Sequence, residues 1–514
     1  TSISAGTLAV NGSLCGDMNV LAGARLQGTG TVCDTTNFLG GTIGPGNSIG
    51  VLTVAGNYLG NGGLLEIETV LGGDASPTDR LMVTGDTAGN TNVRVINVGG
   101  AGAQTVEGIK IVDVGGASNG AFALLGDYVL SGQQAVVGGA YAYTLQQNGV
   151  STPTDGDWYL RSSLATPAAT PGVPPPAPPP GPLYQPGVPL YETYAQVLLG
   201  LNELPTFLQR RAGQYRGESD SMAQMDTAAS RGVTSAVFSP VWGRFEGKRA
   251  NLNHGTTALS TSDADFWKFE GGIDAATLDN GYGRLIFGVT GHYSEAKSEV
   301  SSFFGNGRIN VSGGGVGGTA TWLGDDGLYV DNQARVSWYN GDLTSALTGP
   351  ITRGNDGFGY ALSTEGGKRF AIGEGWSLTP QLQATYSNVN FDSFLDRFGT
   401  VVSLGHADSL LGRAGLSLDH RNSWRDGSGQ MTRSDIYGIA NVYYEFLDGS
   451  SVDVSGTRFA NAGDRLWGGV GAGGTFSWNN DRYALFGEVS YKTSLDDLGD
   501  SYSYKGTAGL RLRW

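Results

Sequence analysis

Few residues in this chain are spaced to do chemistry. Cys15 and Cys33 are its two cysteines, 18 residues apart with no histidine near them. A thiolate metal site needs further ligands at short spacing, so the pair reads as a disulfide in an oxidising, extracellular setting; the alternative is two separate buried thiols. His254, His292, His406 and His420 are scattered without ligand spacing. Asp325-Asp326 and Asp496-Asp497 are adjacent carboxylates, which mark a solvated turn more often than an acid–base pair. No Gly-x-Ser-x-Gly elbow, His-Glu-x-x-His motif or phosphate loop occurs in the sequence. The expectation is a protein that is not an enzyme, with no catalytic, metal-binding or cofactor-binding residues.

What positions anything here has to be β-structure. Glycine supplies 85 of the 514 residues, more than twice the average usage of roughly 7%. Charged residues are 15% and aromatic residues 10%, which suits strands with small residues in tight places rather than helical bundles. Acids outnumber bases 47 to 32, and lysines number seven. Phosphate backbones would find little to bind, which excludes a nucleic-acid partner. No stretch approaches the roughly 20 apolar residues of a membrane-spanning helix, so membrane residence has to be as a β-barrel. Thr1-Ser2-Ile3-Ser4 lacks the regions of a signal peptide. It reads like mid-repeat sequence, and the expectation is the C-terminal portion of a longer precursor.

Three regimes divide the chain. Residues 1–161 alternate short runs such as Gly50-Val51-Leu52-Thr53-Val54 with Gly/Asn turns, as a stacked β-solenoid or a sandwich would. The cysteine spacing is close to one rung of a parallel β-helix of about 20 residues. Residues 167–189 hold 11 of the 18 prolines, an extended spacer of about 3.1 Å per residue. A helical signal follows. Tyr194, Val197, Leu198 and Leu201 share one face, Pro205 bends or restarts the helix, and Arg210 and Arg211 bring cations to its far end.

From about residue 232 the alternation lengthens. Trp376, Leu378, Pro380, Leu382, Ala384 and Tyr386 alternate with Ser377, Thr379, Gln381, Gln383 and Thr385. In 265–277, Trp267, Phe269, Ile273 and Ala275 alternate with Asp265, Lys268, Glu270 and Asp274, after a shift near Phe266. Twelve such segments are expected: 234–247, 265–278, 282–297, 307–323, 327–341, 357–371, 376–390, 409–421, 431–447, 466–478, 482–493 and 502–514. An even count, and short links alternating with long ones, fit an outer-membrane barrel; the link 422–430 is too long for its side. In the last segment Tyr502, Tyr504, Leu510, Leu512 and Trp514 share one face.

In this order the parts resemble a monomeric autotransporter of the pertactin-like type (type V secretion), over nearly the whole chain. Gly44-Pro45-Gly46-Asn47-Ser48-Ile49-Gly50, Asp79-Arg80-Leu81-Met82-Val83-Thr84-Gly85 and Trp158-Tyr159-Leu160 are similar to passenger signatures of that family. Gly438-Ile439-Ala440-Asn441-Val442-Tyr443-Tyr444-Glu445 and Gly506-Thr507-Ala508-Gly509-Leu510-Arg511-Leu512-Arg513-Trp514 are similar to its barrel. The resemblance implies an all-β chain. A right-handed parallel β-helix passenger end with an autochaperone-like segment would occupy 1–161, and a Pro-rich linker 162–189. A pore-spanning helix region would follow at 190–227, then a 12-stranded antiparallel transmembrane barrel at 228–514. It implies as partners outer-membrane lipid, the β-barrel assembly machinery, periplasmic chaperones, the chain's own passenger and a host-surface ligand, with the barrel a monomer. The C-terminal strand would be the assembly signal.

Some family members cut their linker at an asparagine pair in the pore helix. Residues 190–215 hold one asparagine, Asn202, and Asn479-Asn480 falls in a short turn, so that pattern is not matched and an attached passenger is expected. Twelve strands enclose a lumen between the packed eight-stranded and the open sixteen-stranded case, about wide enough for a helix of 10–12 Å. Gly313-Gly314-Gly315, Gly317-Gly318 and Gly468, Gly469, Gly471, Gly473 and Gly474 either make room for that helix or permit strand curvature. The expected function is secretion and surface anchoring of an adhesin-like or virulence passenger. The alternatives are a porin-like pore, or a passenger enzyme whose active site lies upstream.

Overall fold

The computed structural model describes residues 1–164, 181–211, 240–253, 255–280 and 282–513. They form two compact units. One joins residues 1–188 with two short segments from far along the chain, 395–402 and 453–457; the other holds the remainder.

The first unit begins as a parallel β-helix. Strands of two to five residues stack in register, so that Met18 pairs with Thr35, Arg25 with Thr42 and Ser13 with Thr31, steps of 17 or 18 residues. The steps then lengthen. Thr35 pairs with Tyr58, 23 residues on, and Leu81 with Val112, 31 residues on. Alternate residues point inward, and Met18, Val20, Leu26, Val32, Ile43, Leu52, Val54, Leu65 and Ile67 are fully buried, which is the main source of stability in such a stack. Cys15 and Cys33 follow the paired strands Ser13–Leu14 and Thr31–Val32, and they are joined as a disulfide with 4.9 Å between Cα atoms. Gly46 needs its positive φ of 86°, and a Cβ there would run into the Ser48 carbonyl.

The parallel ladder stops near residue 124. Tyr128–Leu130, Gln133–Gly138, Tyr141–Gln147 and Trp158–Arg161 form an antiparallel meander, which closes antiparallel onto Ile109–Val114. The family resemblance implied a β-helix through residue 161; the last 35 or so residues of that stretch are instead this antiparallel cap on the end of the apolar core.

The second unit is a closed antiparallel barrel. Its twelve long strands are β1 (Val241–Asn253), β2 (Thr261–Asn280), β3 (Gly283–Ser301), β4 (Gly307–Gly324), β5 (Leu328–Ser345), β6 (Gly349–Lys368), β7 (Trp376–Phe391), β8 (Val401–Arg425), β9 (Met431–Glu445), β10 (Leu466–Trp478), β11 (Tyr483–Ser494) and β12 (Tyr502–Leu512). Closure comes from β1 against β12, with Val241 opposite Leu512.

The predicted segments match these strands with shifted ends. The first segment, expected over 234–247, runs as β1 to Asn253, and residues 234–239 lie outside the described residues. β8 runs from Val401 to Arg425, so the over-long link 422–430 shrinks to a turn at 426–430. The shift expected near Phe266 is absent. Asp265 shares the outward face with Trp267, and the irregularity falls between Asp274 and Ala276.

Outward positions through the middle of the barrel are apolar, with Phe269, Ile273, Val289, Leu382 and Val489 each at least half exposed. Aromatic pairs edge this band at two levels. Trp267–Tyr293 at 5.5 Å and Tyr491–Tyr504 at 5.4 Å stand on one side, and Trp478–Tyr483 at 5.5 Å on the other. An apolar belt between two aromatic girdles is what a bilayer selects. Tyr502, Tyr504, Leu510 and Leu512 share the outward face of β12; Trp514 lies outside the described residues.

Candidate functional site

The inward face of the barrel holds a helix. α1 (Val188–Leu201) carries Pro189 in its first turn, where its missing N–H has no intrahelical partner to lose. α2 (Phe207–Arg211) starts after a break at 202–206 that contains Pro205. Its start is a reciprocal cap: Gln209 N donates to Thr206 Oγ1 (3.3 Å), and Thr206 N to Gln209 Oε1 (3.2 Å). Phe207 N donates to Glu365 of β6 (2.9 Å). Residues 212–227 of the expected helix region, and the proline run at 165–180, lie outside the described residues.

Tyr194, Val197, Leu198 and Leu201 are buried. The polar side is buried too, which a one-faced reading of α1 did not anticipate. Glu192 accepts from Ser260 Oγ (2.8 Å) and Ala258 N (3.2 Å). Gln196 donates to Ser450 (3.1 Å). Tyr194 packs on Phe391 at 4.8 Å, and Tyr191 on Phe394 at 5.8 Å. A helix wrapped on every side by strands needs partners for its polar residues, because an unpaired buried polar group is costly.

The break between the helices is held most densely. Asn202, fully buried, donates to Ser387 Oγ (2.8 Å) and the Tyr360 carbonyl (2.9 Å), and accepts from the Tyr339 hydroxyl (3.1 Å). The Glu203 carbonyl accepts from Lys268 (2.9 Å) and Arg335 (3.2 Å), and its carboxylate pairs with Lys248 at 2.8 Å. Gln333 donates to the Pro205 carbonyl (2.9 Å). Arg210 pairs with Asp331 in a fully buried ion pair; Arg211 ends α2, and its side chain is outside the described residues. Arg335 also pairs with Glu270 (2.8 Å), which pairs with Arg244 (2.6 Å). Buried pairs like these contribute little net stability but fix geometry, since removing one partner strands the other.

Glycines that meet the helix lie outside the two glycine clusters. An added Cβ at Gly341 would meet the Tyr194 hydroxyl, and one at Gly307 would stand 2.7 Å from Leu190. Around Gly313, Gly315, Gly469 and Gly473 the nearest side chains belong to the barrel itself: Tyr339, His292, Tyr443 and Tyr437. Gly314, Gly318, Gly468 and Gly474 point outward with the lipid-facing set. The clusters therefore seat lumen aromatics, and the helix is met by glycines elsewhere. Beneath the 203–209 segment a cavity of about 80 Å³ remains, lined by Lys248, Lys492, Lys505 and Glu488, room for a few waters at most.

His292 lies in the lumen near Ser337 (3.3 Å), His406 beside Ser451 (2.8 Å) and His420 against Trp376, while His254 is outside the described residues. Among the described residues no three His, Cys, Asp or Glu side chains are grouped to hold a metal. The Thr206–Gln209 cap and the lumen-facing carboxylates were missed in the sequence; the Thr-x-x-Gln spacing was the available signal for the first.

A closed twelve-stranded barrel with an apolar belt, and a helix held in its lumen ahead of β1, defines an outer-membrane translocator of the type V class. Residues 241–490 match the family model described as autotransporter beta-domain, and residues 34–145 the one described as autochaperone domain type 1. The adhesin BmaC autotransporter of Brucella suis biovar 1 (strain 1330) is 48% identical over 516 residues, covering 100% of this chain and 15% of that protein. The uncharacterized protein YdeU of Escherichia coli (strain K12) is 32% identical over 91% of this chain and 98% of its own length. The transport unit of the autotransporter AIDA-I from Escherichia coli aligns with 59% of this chain and 100% of its own, at 21% identity and a TM-score of 0.46. The chain belongs to the autotransporter family. Its barrel is the translocator domain of that family, and residues 34–145 carry the autochaperone domain. The chain spans about one seventh of BmaC.

Proposed function

We propose that this translocator keeps its passenger covalently attached and displays it as a surface adhesin. The observation that carries the attachment is Asn202. Its carboxamide nitrogen is engaged by Ser387 Oγ and the Tyr360 carbonyl, and its oxygen by Tyr339, so the side chain is turned to the lumen wall rather than free to attack its own peptide carbonyl. The adhesin role rests on relatives: BmaC is named an adhesin, and so is the AIDA-I autotransporter of Escherichia coli, 28% identical over 400 residues. The working boundaries are 1–161 passenger, 162–189 linker, 190–227 helix region and 228–514 barrel. Tyr502, Tyr504, Leu510, Leu512 and Trp514 serve as the recognition strand for the β-barrel assembly machinery, after escort by periplasmic chaperones. The barrel works as a monomer in outer-membrane lipid, and the passenger's ligand is a host surface.

An epitope tag at residue 1, behind an added signal peptide, tests this in intact cells. The expected result is a single tagged species that retains the barrel and loses the tag to external protease. A separate passenger band would refute attachment. A tag cut only after the outer membrane is opened would refute surface display.

A further inference from the structure

Two segments that lie within the barrel's sequence fold with the passenger. Residues 395–402, which run from the link after β7 into the first two residues of β8, and residues 453–457, the tip of a hairpin between β9 and β10, belong to the same compact unit as residues 1–188. Their own hydrogen bonds shape them. Asp396 Oδ1 accepts from Phe398 N and Thr400 N, both at 2.8 Å. The hairpin tip braces the loop, with Ser455 N donating to the Val401 carbonyl (2.9 Å) and Val401 N to Ser455 Oγ (3.2 Å). Val402 and Val454 are fully buried.

The carboxylate's other oxygen meets the passenger end. Gln185, fully buried, donates from Nε2 to Asp396 Oδ2 at 2.7 Å and to the Gly139 carbonyl at 3.3 Å. Thr400 Oγ1 donates to that same Gly139 carbonyl at 3.3 Å. Gln185 N donates to Ala140 O (3.0 Å), in the turn between the last two long strands of the cap. A buried carboxamide without its acceptor is costly, and an acceptor that carries charge is the strong kind. Asp396 is already held by its own loop, so little freedom is lost when Gln185 arrives.

We propose that residues 395–402 and 453–457 are a seat for the passenger's terminal hairpin, with Asp396 and Gln185 as its latch. On the reading of the chain as an attached-passenger translocator, on which this rests, the cap reaches its protease-resistant form only once Gly139, Ala140 and Gln185 dock there. The occupant is this chain's own segment.

The test uses the full chain behind a signal peptide, tagged at residue 1, pulse-labelled in intact cells and challenged with protease at intervals. Gln185→Glu sets two carboxylates against each other while leaving the loop's own bonds intact; it should slow the appearance of resistant passenger by about tenfold. Asp396→Asn in the same chain exchanges donor and acceptor and should bring the rate back to within about threefold of the parent. Equal rates for Gln185→Glu and parent, or no recovery in the double variant, would overturn the seat. Surface arrival of the tag and heat-modifiability of the barrel report separately on the translocator reading, and both should stay unchanged in all variants.

Discussion

Tyr339 lies opposite Gly313 on the neighbouring strand, and its hydroxyl donates to Asn202 at the end of α1, 3.1 Å away. The glycine thus acts on the helix at one remove: it seats the ring that holds the asparagine. Tyr437 stands opposite Gly473 in the same way, and Tyr329 opposite Gly367.

Gly313→Val should therefore loosen the helix without touching it. A Cβ at 313 would stand 2.5 Å from the Trp338 carbonyl oxygen and run into the Tyr339 ring. Overpacking of this kind costs about 1–3 kcal/mol. The temperature at which the barrel loses its compact mobility on gels should fall. Tyr339→Phe, which removes only the hydroxyl, should cost about 1 kcal/mol.

Asp331 is the carboxylate that pairs with Arg210, and both side chains are fully buried. Asp331→Ala strands a buried guanidinium, at about 3–5 kcal/mol. In planar bilayers the variant should show longer open events than the parent, as the α2 end of the helix releases. The double change with Arg210→Ala should move back toward the closed parent. Identical conductance in all three proteins would mean that the pair does not retain the helix.

Asp79 gives the passenger a pH response. It accepts from Gly50 N and Glu68 N, both at 2.8 Å, tying the 44–50 turn to the strand 58–69. Burial outweighs those bonds and pushes its carboxyl up to about 6 from an ordinary 3.8. The folded state then holds a proton that the unfolded state has lost between those values, so stability falls as pH rises from about 4 to about 6 and is level above. Amide exchange around residues 44–70 should quicken over that window in the parent relative to Asp79→Asn. A constant difference between the two would rule out Asp79 as the cause.

The Cys15–Cys33 bridge closes a loop of 18 residues, which the chain-entropy account values at about 3 kcal/mol. Reduction, or a double change to serine, should raise exchange in residues 1–38. It should leave the barrel's heat-modifiability where it was, because the two lie in separate compact units.

The barrel was legible because lipid on one side and a polar lumen on the other enforce a period of two. Legibility ended where that contrast ended. At 401–408 and 422–425 both faces of β8 are polar or mixed, so the strand reads as a loop although it continues. The antiparallel cap at 128–161 was hidden because its short alternating strands look like more rungs. In the helix, apolar spacing found Tyr194, Val197, Leu198 and Leu201 but could not find Glu192, Asn202 or Glu203. Helical periodicity assigns polar residues to solvent, and here the solvent is a ring of serines, glutamines and charged side chains supplied by strands up to about 270 residues away.

The lengthening steps of the β-helix also set how it gives way under load. Pulled from Thr1, the stack should yield one coil at a time. A 17-residue coil frees about 60 Å of contour and a 31-residue coil about 100 Å. The first coil is clipped by the disulfide, and from Thr35 onward each coil frees more contour than the one before. Under load the passenger end should therefore yield in growing steps, with its longest travel last, just before the cap.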